Sequence, residues 1–148
     1  MTYRWPWQGI TVRNFSPDEF DHPEKVDRDL LIHLDELRHL CGFALHVKSD
    51  VRYAFEMTAI YGPDRSDWTD SPHQIRRDGF GHAVDLTLDE GLGKAEVGRR
   101  RVILTHHATD MWIRGHWPRL GFELGTAHVH VDNDIKLLRP WIWPGVSR

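Results

Sequence analysis

The sequence predicts a single α+β domain in which helices flank a small antiparallel sheet. Three observations support this prediction: apolar residues recur at helical spacing between Pro23 and Leu40, they alternate with polar residues in shorter segments, and no repeat or linker divides the chain. A chain of 148 residues with 40% hydrophobic content is long enough to bury one core. We therefore treat residues 1–148 as one domain.

Two long helices are predicted. The first runs from Pro23 to Leu40, where the leucines fall on one face and Gly42 follows as a C-terminal stop. The second runs from about Lys94 to His116. Phe15 to Phe20 contains a serine cap followed by proline and a glutamate, which indicates a short opening helix or turn.

Three strands are predicted, because apolar and polar residues alternate in them or because they are short and apolar. They are Phe43–Ser49, Gly81–Leu88 and a last strand from Gly121–Leu124 and then Ala127–Asp132. Residues 50–80 contain prolines, glycines and many charges, so we predict irregular structure there. The Trp141-Ile142-Trp143 segment is expected to pack onto the domain.

The charge balance argues against nucleic acid or a membrane as a partner. The formal charge is −3, from 19 basic and 22 acidic residues, which leaves no positive excess to neutralise phosphates or anionic lipid. No apolar stretch approaches the roughly 20 residues of a membrane span, and Met1 to Gln8 lacks the order of a secretory signal. We expect a monomer that stays in the cytoplasm as synthesised. Cys41, the single cysteine, is expected to be a small buried hydrophobic residue.

One candidate site lies on the last predicted strand before the aromatic C-terminal segment. His128, His130 and Asp132 share one face of this strand, because successive side chains of a strand point to opposite sides. Imidazole nitrogen and carboxylate oxygen are common zinc ligands. This face is therefore either part of a metal site or a solvated edge.

A second candidate cluster surrounds the strand that contains Asp85. Gly81 and Ala83 share a face with Asp85, and these small residues are expected to leave space for a metal and its substrate. A carboxylate in an apolar strand must be paired, hydrogen-bonded or bound to a cation, so a salt bridge to a nearby arginine is the alternative. Ser71-Pro72-His73 and Asp78 precede this strand.

Taken in order, these motifs resemble the zinc D-Ala-D-Ala carboxypeptidases and the related phage L-Ala-D-Glu endolysins. The likeness spans roughly residues 15 to 132. The family's central motif is Ser-x-His-x-x-Gly-x-Ala-x-Asp, and its last motif is His-x-His or His-x-Asp; Asp85 and His130 match these ligand positions. The resemblance implies a Hedgehog/DD-peptidase-like fold and a bound Zn²⁺.

The first metal ligand is where this chain departs from the family. Asp78 stands three residues before Gly81, where the family has histidine, and His73 lies five residues earlier. We predict a lengthened loop that still delivers His73, because a loop absorbs extra residues at small cost. The resemblance then implies a ligand set of His73, Asp85 and His130, with Asp78 and His82 as the alternatives for the first ligand.

The resemblance also implies roles in catalysis. Ser49-Asp50-Val51-Arg52 is similar to the family's Ser-Gly-Tyr-Arg segment, whose arginine binds and orients the substrate, so Arg52 inherits that role. The family's general base lies three residues before the last histidine, and that position here is Ala127. We therefore predict that Asp132 is the base, and that His128 accepts a proton or stabilises the oxyanion.

These roles predict a zinc metallopeptidase that hydrolyses the stem peptides of bacterial peptidoglycan with metal-activated water. The scaffold serves several cleavage specificities, and the sequence leaves the bond open. A phage virion or release to the cell wall would bring the protein to this substrate. The alternative is a non-catalytic, metal-binding phage structural or wall-binding protein with the same fold.

Overall fold

A computed structural model of the protein describes residues 5–64, 71–123, 128–134 and 141–145. The fold is α+β, as predicted. Its helices are α1 (Arg28–Cys41), α2 (Ala54–Tyr61) and α3 (Lys94–Ile113), with 3-10 turns at Pro17–Glu19 and Pro23–Lys25. Its strands are β1 (His46–Ser49), β2 (Ala83–Thr87), β3 (Arg119–Glu123), β4 (Val129–Asp132) and β5 (Trp141–Gly145).

The strands form one small sheet in the order β1-β2-β4-β3-β5. The first four strands of this order pair antiparallel, which confirms the predicted antiparallel sheet. β5 extends the sheet parallel to β3, an addition that the sequence did not predict as a strand. In the β2–β4 pair, Asp85 lies opposite His130 and Ala83 lies opposite Asp132. This register brings the two candidate clusters together.

In the part of the chain that the structure describes, a buried cluster joins α1 and α3 to one face of the sheet. Its central members are Leu30, Leu31, Leu34 and Leu37 from α1, Leu104, Ala108 and Met111 from α3, and Val84, Leu86, Val129 and Val131 from the strands. Because strand side chains alternate, the valines of β4 face this core. His130 and Asp85 consequently lie on the other face of the sheet.

The first helix starts later than predicted, and the physical reason is local. Val26 forms a bridge with Gly81, so the chain is extended there, and Asp27 caps the helix by accepting a hydrogen bond from the Leu30 amide at 3.0 Å. Gly42 ends α1 with φ 71°, in agreement with the predicted stop. The end of α3 was also predicted too late, since Gly115 adopts φ 80° just beyond it.

Helix α2 falls in the segment that was predicted to be irregular. Met57 is its buried residue, whereas Phe55 is 72% exposed and Ile60 is 56% exposed. An amphipathic pattern is therefore missing, because apolar residues lie on the solvated sides of the helix as well. Sequence periodicity does not detect a helix of this kind.

Two smaller expectations concern the cysteine and the membrane. Cys41 is buried, and burial raises the pKa of its thiol to about 12, which fits the predicted role as a small hydrophobic residue. Among the described residues, no helix combines the length and apolar content that are needed to cross a membrane.

Candidate metal centre

The structure brings His73, Asp85 and His130 together. One ligand atom of each lies within 4.8 Å of the others. His130 Nδ1 is 2.8 Å from Asp85 Oδ1, and His73 Nε2 is 3.3 Å from Asp85 Oδ2. Zinc binds nitrogen and oxygen at about 2.0–2.2 Å, so neighbouring ligands of a tetrahedral ion lie roughly 3.3 Å apart. The spacing of these donors fits a zinc ion after small shifts.

Different parts of the fold position the three side chains. Asp85 and His130 are opposite residues of the β2–β4 pair. His73 comes from the loop before β2, and its carbonyl accepts a hydrogen bond from the Arg52 amide at 2.8 Å. The loop is thus joined to the segment that follows β1, and the extra residues do not prevent His73 from reaching the other two donors.

The second ring nitrogen of each histidine is held by an acceptor. His73 Nδ1 donates to the Asp50 carbonyl at 2.8 Å, so its Nε2 faces Asp85. His130 Nε2 contacts Asp132 Oδ2 at 2.7 Å, so its Nδ1 faces Asp85. Histidines that bind metals characteristically donate their other N–H to a carbonyl or carboxylate. Both candidate ligands have this arrangement.

The carboxylates of the cluster favour positive charge on His130. Burial alone would lower the pKa of His130, but its hydrogen bonds with Asp132 and Asp85 raise this pKa to about 9. Burial alone would raise the pKa of Asp85, but the charge of His73 and the hydrogen bond with His130 hold it well below its usual range. Without a metal, a protonated imidazole therefore supplies the positive charge, and a metal must displace that proton.

Asp132 does not have the geometry expected of a general base. Its side chain is 0% exposed, and Oδ2 contacts both His130 and, at 3.7 Å, Arg119 Nε. A base must reach the proton of an attacking water directly or through one water. The buried position disfavours the predicted base role and favours a role in orienting His130.

Arg52 and His128 lie beside this cluster. Arg52 Nη2 donates to Ser49 Oγ at 2.7 Å, and Ser49 is opposite Asp85 in the β1–β2 pair. His128 immediately precedes β4, and its Nδ1 lies 2.8 Å from Lys48 Nζ. Lys48 lies on β1, so the contact crosses the sheet face that bears the cluster. The family's base position, Ala127, lies outside the described residues.

Asp78 and His82 are in a different place from the predicted ligands. His82 Nε2 contacts Asp78 Oδ2 at 2.7 Å, and His82 Nδ1 contacts Asn133 Oδ1 at 2.9 Å. Ligand atoms of these two residues and Asp27 also lie within 4.8 Å of one another. Burial would lower the pKa of His82, but Asn133, Asp27 and Asp78 together raise it. The sequence did not predict this second group.

Gly81 lies against Val51. A Cβ atom on Gly81 would lie 2.5 Å from Val51 Cγ2, closer than a real Cβ contact. The missing side chain therefore makes space for buried Val51, a packing role that the sequence did not predict.

No protein-family model, curated protein or solved structure matches this chain. The function is consequently argued from the cluster of His73, Asp85 and His130 and from the contacts around it.

Asp50 offers a prediction on stability. Its side chain is 1% exposed and accepts a hydrogen bond from the His22 amide at 2.9 Å. Burial is the main cause that raises the pKa of Asp50 to about 6. Because the folded state holds this proton more tightly than the unfolded state, the resulting stability is lost as the pH rises from about 4 to 6.

We expect Asp50→Asn to increase the free energy of unfolding of the metal-free protein by about 2 kcal/mol at pH 7.5, since asparagine keeps the acceptor without the buried charge. Urea unfolding at pH 5 and pH 7.5 measures this, and the gain should be smaller at pH 5. Asp110→Asn, which removes a half-exposed carboxylate, is the control. A gain that is equal at both pH values would contradict the prediction.

Proposed function

We propose that this protein is a zinc-dependent peptidase that hydrolyses peptide bonds in the stem peptides of bacterial peptidoglycan. The observation that carries the proposal is the convergence of His73 Nε2, Asp85 and His130 Nδ1, with the other nitrogen of each histidine held by an acceptor. The order of the motifs supports the same proposal. The proposal includes the assignment of this chain to the Hedgehog/DD-peptidase fold.

In this proposal each residue of the cluster has a defined task. Zinc held by the three donors would supply a Lewis acid that activates water for attack on a peptide carbonyl. Asp132 holds the imidazole of His130 in the orientation that presents Nδ1. The Arg52 guanidinium, held by Ser49 and Tyr61, binds and orients an oxygen-bearing group of the substrate.

His128 takes the place of Asp132 as the proposed proton acceptor. Lys48 Nζ lies 2.8 Å from His128 Nδ1 and 3.3 Å from His128 Nε2. His128 is partly exposed, unlike Asp132, and it precedes His130 by two residues. Imidazole is the side chain that most often serves as a general base.

Zinc content is the first test of this proposal. We expect purified wild-type protein and Asp78→Ala to hold stoichiometric zinc, and His73→Ala to lose it, because Asp78 contacts His82 and not the His73 group. Metal analysis after reconstitution and desalting measures this directly. No zinc in the wild-type protein would overturn the proposal, and loss in Asp78→Ala alone would move the site to the second group.

A non-catalytic function is the second candidate, and the buried Asp132 favours it. Neither the buried Asp132 nor Ala127, at the family's base position, offers a carboxylate base of the usual kind. A panel of stem peptides and intact peptidoglycan separates the two candidates. Zinc binding with hydrolysis of one substrate supports the peptidase, whereas zinc binding and retention on peptidoglycan without hydrolysis supports a wall-binding protein.

A further inference from the structure

The loop that carries His73 is attached to the chain immediately after β4. β4 itself carries His130, and the next two residues are Asn133 and Asp134. The loop spans residues 71–80 and contains the residues by which this chain departs from the family spacing. Two separate side-chain links join this region to Asn133 and Asp134.

The first link is a buried ion pair. Arg76 Nε and Nη2 lie 2.9 and 2.5 Å from Asp134 Oδ2, and the two side chains are 14% and 1% exposed. The Arg76 amide donates to the Phe80 carbonyl at 2.9 Å, which closes the end of the loop. A charge-assisted pair at this depth fixes the position of both partners more strongly than a surface pair does.

The second link runs through His82. Its Nδ1 contacts Asn133 Oδ1 at 2.9 Å, and its carbonyl accepts from the Asn133 amide at 3.0 Å. Its own amide donates to the Pro72 carbonyl at 3.1 Å, next to His73. His82 therefore touches the start of the loop and the end of β4 together.

Asn133 extends this link to the first helix. Its Nδ2 donates at 2.8 Å to Asp27 Oδ2, and the same oxygen caps α1 through the Leu30 amide. The Asp27, Asp78 and His82 group is thus occupied by hydrogen bonds that tie elements together. These bonds account for the proximity of its carboxylates without a metal.

The two links surround the one candidate ligand that no strand positions. We define the loop clamp as Arg76, His82, Asn133 and Asp134. We propose that the loop clamp consists of positioning residues that hold His73 at metal-binding distance from His130. Asp85 and His130 are fixed by strand pairing, whereas a loop must be restrained for a ligand atom to stay within fractions of an ångström. This inference rests on the proposed zinc site.

The test is zinc affinity, measured by competition with a chromophoric chelator on folded protein. We expect Arg76→Met and Asn133→Ala to weaken zinc binding at least about tenfold, as loss of groups that orient metal ligands does. Arg38→Met is the matched control, because the Arg38–Glu19 pair has a similar distance of 2.7 Å and lies away from the site. The control should change the zinc affinity by less than about twofold.

A purely structural role is separated by comparing unfolding with and without zinc. A merely structural link would lower stability equally in both states, whereas a positioning link lowers it more when zinc is bound. If the Arg76→Met variant fails to fold, the double variant Arg76→Leu/Asp134→Leu replaces it in the test. An apolar pair then stands in place of the buried ion pair, and no unpaired charge is left. Unchanged zinc affinity in the folded variants would overturn this inference but not the proposed function. Absence of zinc from the wild-type protein would overturn the proposed function and the inference with it.

Discussion

Asp132→Asn is expected to weaken zinc binding about 10- to 100-fold at pH 9.5 and to leave the fold intact. The carboxylate is fully buried and contacts His130 Nε2 at 2.7 Å, so its charge acts on the ligand and not on bulk water. Asparagine has the same shape but no charge, and it makes His130 a weaker donor to the metal. The substitution therefore tests orientation and polarisation of the ligand without creating a cavity.

The same variant is expected to change the pH dependence of zinc binding. The pKa of His130 is about 9 in the metal-free protein, so zinc displaces a proton below that pH. Wild-type affinity should increase about tenfold per pH unit between 7 and 9 for one displaced proton. Loss of the Asp132 charge lowers the pKa of His130, so the variant should show a flatter dependence and a smaller deficit near pH 7.

Chelator competition across this pH range distinguishes the two roles considered for Asp132. A general base is needed for hydrolysis and not for zinc binding. If Asp132→Asn binds zinc as the wild type does at every pH but loses hydrolysis, the result would support the prediction that Asp132 is the base. Asp110→Asn, which removes a half-exposed carboxylate on α3, is the charge-matched control. It should bind zinc as the wild type does.

The local pattern of the sequence predicted the elements whose faces are clearly divided. The leucines of α1 recur at helical spacing, and all four of those at 30, 31, 34 and 37 are buried. The valines at 129 and 131 face the core, which places His130 on the opposite side as predicted. In these elements local propensity and burial agree, so periodicity was sufficient.

The remaining elements depend on partners that are distant in sequence. α2 has apolar residues on its exposed sides, so no period distinguishes it from a loop. β5 is a strand because it pairs with β3, a parallel contact that no short pattern indicates. The start of α1 is set by the bridge between Val26 and Gly81, which is also a contact between distant segments.

The site shows the same division. Strand alternation places Asp85 and His130 on polar strand faces, and the resemblance implies that they bind the metal. The register of β2 and β4 makes them neighbours. His73 was chosen over Asp78 from the cost of a longer loop, and the structure places His73 in the group. The expected role of Asp132 as a base depended on how deeply its side chain is buried, and strand alternation does not predict burial depth. A residue on the correct face can lie at the opening of a site or behind a ligand.

Gly81→Ala is expected to lower the free energy of unfolding by about 2 kcal/mol. A Cβ atom would lie 2.5 and 2.7 Å from the two γ carbons of Val51, which is 1% exposed and has little freedom to move. The Gly81 backbone is also fixed, since its amide donates to the Lys25 carbonyl at 2.7 Å and its carbonyl accepts from the Asp27 amide at 3.0 Å. Neither the Val51 side chain nor the Gly81 backbone can therefore move easily to relieve the contact.

A double-mutant cycle with Val51→Ala isolates this contact. Removing the γ carbons removes the two closest contacts and leaves only Val51 Cβ, at 2.9 Å, so Gly81→Ala should cost about 1–2 kcal/mol less in the Val51→Ala background. Gly98→Ala is the control, because Gly98 lies in α3 with nothing within 4 Å of the added carbon. There alanine should stabilise the helix by up to about 1 kcal/mol.

Urea unfolding and zinc titration of the Gly81→Ala variant decide between packing and space for a ligand. If glycine were needed to admit a metal or substrate, stability would be unchanged and zinc binding would fall. If it is needed for Val51, stability falls in the metal-free protein, and the Val51→Ala substitution recovers part of the loss. The bridge between Val26 and Gly81 joins the start of α1 to the residue before His82, so this packing also supports the loop clamp.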